Sequence, residues 1–395
     1  MTKTTRTAAL ALTVLLALVG CAAEPSAPAT SPASDAASPT SEPEADPAPE
    51  PTSTPGDVLA GLTLEQRVGQ LFMVGTSVGG PDPITLDAVA LQHAGGIFLH
   101  GRSSAGVAPA AEFVRAFHDV HVEGDPPLWV ATDQEGGDVQ VLSGAGFDSI
   151  PTALTQAKSD TATLQENATR WGAQLSAAGV NMNLAPVADI VTSPEAAAQN
   201  PPIGALNREY GFDEATVAAK AGAFGAGMRA SGVMPTLKHF PGLGRATQNT
   251  DTRAGVVDDQ VGADSPDVAV YRSLLSDGPA VVMMSTAIYS KIDASAPAAF
   301  SSAVVTGVLR EQLGFTGVVT TDDLSAAAQV RGWAPADRAT MSIDAGVDLV
   351  LVSADPTVFP EMYAAVLSRA HTDDDFAAKV DAAARRVIEA KASLG

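Results

Sequence analysis

From Leu71 onward the chain alternates two hydrophobic patterns. Short runs of apolar, β-prone residues have strand length, and between them lie longer stretches whose apolar positions repeat at helical spacing. The runs are Leu71–Gly75, Gly96–Leu99, Leu128–Ala131, Asn181–Ala185, Val233–Leu237, Ala280–Met284, Gly317–Thr320 and Val347–Val352. The amphipathic stretches between them include Ala108–Val120, Thr163–Ala178, Glu214–Ala230, Ser301–Leu313 and Thr357–Ala370. Thr63-Leu64-Glu65-Gln66 has the spacing of a capping box and predicts a short helix to about Gln70. Asp138 to Ile150 has little pattern and reads as loop; a last helix from Asp374 to about Ser393 is expected outside the strands. Strands alternating with helices predict a parallel α/β fold, and a count of eight favours a closed (β/α)8 barrel of the TIM type. An open doubly wound sheet would want a Gly-rich phosphate turn after the first strand, and Gly75-Thr76-Ser77-Val78-Gly79-Gly80 does not fit it.

The pattern changes toward the N-terminus. Residues 1–20 carry Lys3 and Arg6 ahead of an apolar run, Ala8 to Gly20, that is too short to span a bilayer, and so read as a targeting segment. That segment ends Leu18-Val19-Gly20-Cys21, which resembles the lipobox of bacterial lipoproteins. The resemblance implies lipidation of Cys21 and an exported protein anchored to the outer face of the cell membrane. Residues 21–56 are rich in Pro, Ala, Ser and Glu, with no Lys or Arg, and are expected to form an extended, disordered tether. The folded part then spans residues 57–395. Cys21 is the only cysteine, which excludes an intramolecular disulfide and a thiol nucleophile within that part.

Of the 395 residues, 46% are hydrophobic, enough for a large core. The net charge of −22, from 23 Lys+Arg against 45 Asp+Glu, disfavours nucleic acid and anionic lipid surfaces as ligands.

Polar residues gather where the predicted strands end. They are Asp133-Gln134-Glu135-Gly136-Gly137, Lys238-His239, Ser285-Thr286 and Thr321-Asp322-Asp323. In a barrel these ends converge on the face that carries active sites. After Lys238-His239, Pro241 and Gly242 stop regular structure, and a long loop runs on to Asn249-Thr250-Asp251.

Lys238-His239-Phe240-Pro241-Gly242, Asp133 to Gly137 and Thr321-Asp322-Asp323-Leu324 together resemble glycoside hydrolase family 3. The similarity is to its single-domain bacterial β-N-acetylglucosaminidases acting on peptidoglycan. Asn183-Leu184-Ala185-Pro186-Val187-Ala188-Asp189 and Leu313-Gly314-Phe315-Thr316-Gly317-Val318 extend the resemblance, which covers about residues 57–395. It implies that Asp322 is the nucleophile of a retaining mechanism and that Asp133, Arg208, Lys238 and His239 grip the terminal amino sugar. Asp323 is expected to be structural, because successive strand residues face opposite sides. Arg208 also has a plainer reading as a surface salt bridge. No metal or organic cofactor is implied, and the expected partner is an amino-sugar glycan, a muropeptide or peptidoglycan end.

The chain departs from the family at the acid/base. Where the family has an Asp-Ser-His triplet, a count without gaps gives Asn249-Thr250-Asp251. Asp251 can serve as general acid if burial or a neighbouring negative charge raises its pKa. Asp138 and Val141 replace expected arginines, and Thr286 stands where a His is common. Two rival readings follow: a sugar-binding lipoprotein without turnover, and a barrel enzyme using Lys238 as a Schiff-base nucleophile.

Overall fold

The computed structural model describes residues 54–393, so Cys21, the targeting segment and nearly all of the predicted tether lie outside the described residues. Eight parallel strands form one sheet: β1 (Phe72–Ser77), β2 (Gly96–His100), β3 (Trp129–Thr132), β4 (Met182–Asn183), β5 (Met234–Phe240), β6 (Val281–Met284), β7 (Val319–Thr321) and β8 (Val350–Val352). Neighbours in the sheet are consecutive in sequence, with β8 beside β1. A parallel bridge between Thr320 and Leu349, with Thr321 N–H donating to Leu349 O at 3.1 Å, brings β7 to β8 and closes the ring. The fold is a single (β/α)8 barrel, and each predicted strand overlaps an observed one.

Differences from the sequence reading are local. The strand at Asn181–Ala185 shrinks to Met182–Asn183, where Pro186 follows and cannot donate a backbone hydrogen bond. The predicted loop after Asp138 contains a short strand, Val139–Gln140, paired antiparallel with Gln134–Gly136. Gln134 locks this hairpin: its amide donates to Leu142 O at 2.8 Å and accepts from Leu142 N–H at 3.0 Å. The capping box at Thr63 and Gln66 forms in both directions, and the helix runs Leu64–Gly69.

Alternating residues fill the barrel interior. Met73, Trp129, Met182, Met234, Val281, Val318 and Leu349 pack together toward its lower part. The last helix, Asp374–Ala392, does more than cover the outside. Val387 joins the interior cluster, and the Lys391 ammonium lies 5.5 Å from the Trp129 ring centroid, so this helix closes the barrel floor. Phe98, Leu184, Met283 and Leu351 lie toward the other end and form the apolar base of a cavity.

Candidate active site

The cavity above that base is about 410 Å³ and opens at the C-terminal ends of the strands. Asp133, Arg208, Lys238, His239, Asp251 and Asp322 all line it. The structure therefore brings together the six residues to which the family resemblance and the loop count gave a catalytic or sugar-binding role.

Strand alternation sets the inward side chains. On β5, Met234 faces the barrel core and Lys238, four residues on, reaches the cavity on the same side. The Lys238 ammonium sits 2.7 Å from Asp133 and 2.6 Å from Glu135, with only 3% of its side chain exposed. Glu135 is also gripped by Arg208 through a two-pronged pair, Nε to Oε2 at 2.8 Å and Nη2 to Oε1 at 2.7 Å. Burial alone would raise the Glu135 pKa, but Arg208 and Lys238 outweigh it and hold the carboxyl at about 2. Burial lowers the pKa of Lys238 less than Asp133 and Glu135 raise it, so the ammonium stays charged. A buried, doubly paired ammonium has no free electron pair, which removes the basis of the Schiff-base reading. Arg208 is not a surface salt bridge: its partner is a 5% exposed carboxylate beneath the cavity.

His239 is fixed by Asp189. Its Nδ1–H donates to Asp189 at 2.7 Å, while the other Asp189 oxygen accepts from the backbone N–H of His239 at 3.2 Å and of Leu243 at 2.6 Å. This leaves Nε2 for the cavity. The peptides Ala185–Pro186, Lys238–His239 and Phe240–Pro241 are cis. Gly242 follows at φ 146°, and a Cβ there would meet the Asp267 side chain at 2.8 Å, so only glycine fits the turn.

Asp322 and Asp323 both border the cavity but are engaged differently. Asp322 points into the cavity. Asp323 binds the loops: its Oδ1 accepts from Ser325 N–H at 3.0 Å and Ser353 N–H at 2.9 Å, and its Oδ2 from Ala326 N–H at 2.9 Å. Asp251 comes over the rim on the loop after β5. Although the residue is open to solvent at the cavity mouth, burial against the rim and then the Asp322 charge push its pKa up to about 6, against the pull of His239 and Arg208.

Glu135 and Asp189 are the residues that motif reading passed over, although both lie inside the stretches that carry the family resemblance. Ser285 and Thr286, at the end of β6, do not reach the cavity; both are buried, and Met283 lines it instead. Asp138 and Val141 border a neighbouring hollow of about 430 Å³. There Arg102 donates to the carbonyls of Gln140, at 3.2 Å, and of Asp138. Among the described residues no group of three or more His, Cys, Asp or Glu side chains is placed to hold a metal ion.

The sequence profile described as "Glycosyl hydrolase family 3 N terminal domain" matches residues 63–390. The chain belongs to this family. It is a glycoside hydrolase by that membership. Among curated relatives, "Beta-hexosaminidase LpqI" of Mycobacterium tuberculosis is 32% identical over 309 residues, 75% of each chain. Among solved structures, the β-N-acetylhexosaminidase of Beutenbergia cavernae is 59% identical with a TM-score of 0.83, covering 84% of this chain and 99% of that one. A family 3 β-N-acetylglucosaminidase of Paenibacillus sp. is 30% identical with a TM-score of 0.76, covering 84% of this chain and 62% of that one.

Proposed function

We propose that the protein is an exported exo-β-N-acetylglucosaminidase that removes terminal N-acetylglucosamine from peptidoglycan fragments with retention of configuration. The observation that carries the mechanism is the pair Asp322 and Asp251 on one cavity, with the Asp251 pKa pushed up to about 6 beside Asp322. Two carboxyl groups in different environments can divide the roles of nucleophile and acid.

In this reading Asp322 attacks the anomeric carbon as the bond to the leaving sugar breaks, and Asp251 gives its proton to the departing oxygen. Water then loses a proton to Asp251, attacks the same carbon and frees Asp322. Asp133 and the paired cations Lys238 and Arg208 offer an acceptor and donors to the sugar hydroxyls, and His239 offers Nε2. The apolar base of Phe98, Leu184, Met283 and Leu351 ends the cavity, which favours chain ends over chain interiors. The names of the relatives support N-acetylglucosamine as the released sugar. Export and a lipid on Cys21 would hold the enzyme at the cell wall, where peptidoglycan ends are the available amino-sugar glycan.

The test uses the purified protein on a chromogenic β-N-acetylglucosaminide. Turnover is expected, Asp322→Asn is expected to abolish it while sugar binding persists, and a 2-fluoro glycoside inactivator is expected to label Asp322. Binding of sugar with no turnover of any β-N-acetylglucosaminide would instead establish the binding-protein reading. Separately, Cys21→Ala is expected to release the protein from the membrane fraction, and retention there would overturn the lipid anchor.

A further inference from the structure

The cavity is lined by four cationic or basic side chains, and three of them are committed. Lys238 pairs with Asp133 and Glu135, Arg208 with Glu135, and His239 with Asp189. The fourth, Arg331, is exposed at the mouth and has no carboxylate partner among the described residues. It is nevertheless held in place. Nε and Nη2 both donate to the carbonyl of Ala326, at 3.0 and 2.9 Å. Nη1 has no protein partner among the described residues, so the guanidinium keeps donors to offer.

Its location follows from the loops. The Ala328 N–H donates to Asp251 O at 3.1 Å and the Gln329 N–H to Thr250 O at 3.0 Å. Arg331 thus stands on the turn to which the Asp251 loop is docked. A general acid must reach the oxygen that links the terminal sugar to its leaving group. The leaving group therefore lies beside Asp251, on the rim that Arg331 occupies. The other charged groups of that rim, Asp251, Asp322 and Asp323, are carboxylates, in a chain of net charge −22. An anionic leaving group entering there meets repulsion unless a cation is provided for it.

We propose that Arg331 recognises a carboxylate on the leaving group and makes the enzyme prefer acidic aglycones, such as a muramic acid bearing its lactyl carboxylate, over neutral N-acetylglucosamine. This rests on the proposed glycosidase function and names the specificity residue of the same site. An Arg fork matches a carboxylate in shape and charge, and an exposed pair of this kind is worth about fivefold in binding.

The experiment compares the intact protein and its Arg331→Gln variant on three substrates: an aryl β-N-acetylglucosaminide, N,N′-diacetylchitobiose, and β-1,4-linked N-acetylglucosaminyl-N-acetylmuramic acid with a free carboxylate. The acidic disaccharide is expected to have the higher kcat/KM of the two disaccharides. Arg331→Gln should lower it about fivefold, leave the other two substrates within twofold, and, with the methyl ester of the acidic disaccharide assayed beside it, lose the discrimination between acid and ester. Arg331→Lys should retain part of the preference. Equal losses on all three substrates, or no change on the acidic one, would overturn the proposal. If no substrate turned over, the glycosidase reading would fall. Arg331 would then be judged by titrating the acidic disaccharide and its methyl ester into the Asp322→Asn protein with and without Arg331→Gln. Binding that prefers the acid only when Arg331 is present supports it, and indifference overturns it.

Discussion

Asp251 and Ala328 are joined by a backbone hydrogen bond of 3.1 Å, from the Ala328 N–H to the Asp251 carbonyl. The loop after β5, which carries the candidate acid, is thereby docked on the turn that follows Asp322 after β7. Gln329 strengthens the joint, accepting from Val256 N–H at 2.8 Å and donating to Val256 O at 3.2 Å. Asp251 is thus held at the cavity with Asp322 by contacts that do not depend on its own side chain. Asp251→Ala is therefore expected to leave the loop in place and remove only the carboxyl. Protonation matters greatly for a sugar leaving group and little for a good phenolate. Hydrolysis of a disaccharide should fall by about 10²-fold or more, and that of a dinitrophenyl glycoside far less. Azide should partly restore the second step by giving a β-glycosyl azide. Equal losses on both substrates with no azide rescue would make Asp251 structural.

The same carboxyl sets a pH dependence. Burial and Asp322 push Asp251 up to about 6, and the glycosylation step of the proposed mechanism needs it protonated. For a disaccharide, kcat/KM should decline as pH rises through about 6, approaching tenfold per unit on the alkaline side. Asp251→Ala should lack this limb. Finding the limb unchanged in the variant would assign it to another group.

Much of this architecture is legible in the residue pattern, for physical reasons. A barrel strand buried on both faces shows as a short apolar run, so all eight strands could be located. Their ends were less certain, because a ladder can stop where Pro186 supplies no donor or continue, as in β5, through polar residues that line a site. Periodicity also brings Lys238 and Asp322 inward; it does not show that Asp323 borders the same cavity while its oxygens bind the loops. It cannot show pairing across 73 or 50 residues, which is how Glu135 meets Arg208 and Asp189 meets His239. Arg331 was not legible at all. It lies on a loop, where no period tells whether a side chain faces solvent or a cavity.

Glu135 is the hinge of the charge network, and its neutralisation has a predictable cost. In Glu135→Gln the buried Lys238 loses one of its two carboxylates, and the largely buried Arg208 loses its only one among the described residues. Removing one partner from a buried pair costs about 3–5 kcal/mol. A lower melting temperature is expected, with a higher KM because both cations line the cavity in which the proposed mechanism seats the sugar. Acid titration should show the same linkage in the parent protein. The folded pKa of about 2 lies below the ordinary 4.5, so the contribution is complete above about 4.5 and is lost as pH falls toward 2. A variant melting like the parent at pH 7 would show that the network adds nothing to stability.

Glu209 has the opposite sign. It follows Arg208 in sequence but is fully buried, and neither carboxyl oxygen has a hydrogen-bond partner among the described residues. Burial pushes its pKa up to about 7 from the ordinary 4.5. Between those values the folded state holds a proton that the unfolded chain has released. Stability contributed by this group is therefore full below about 4.5, falls as pH rises toward 7, and is constant above. A shift of that size corresponds to about 3 kcal/mol. Glu209→Gln keeps the shape and removes the ionisation, so it should match the parent near pH 4 and exceed it by up to that amount at pH 8. Chemical denaturation at the two pH values decides the matter. A variant that is no more stable than the parent at pH 8 would mean that the Glu209 carboxylate is satisfied when it ionises.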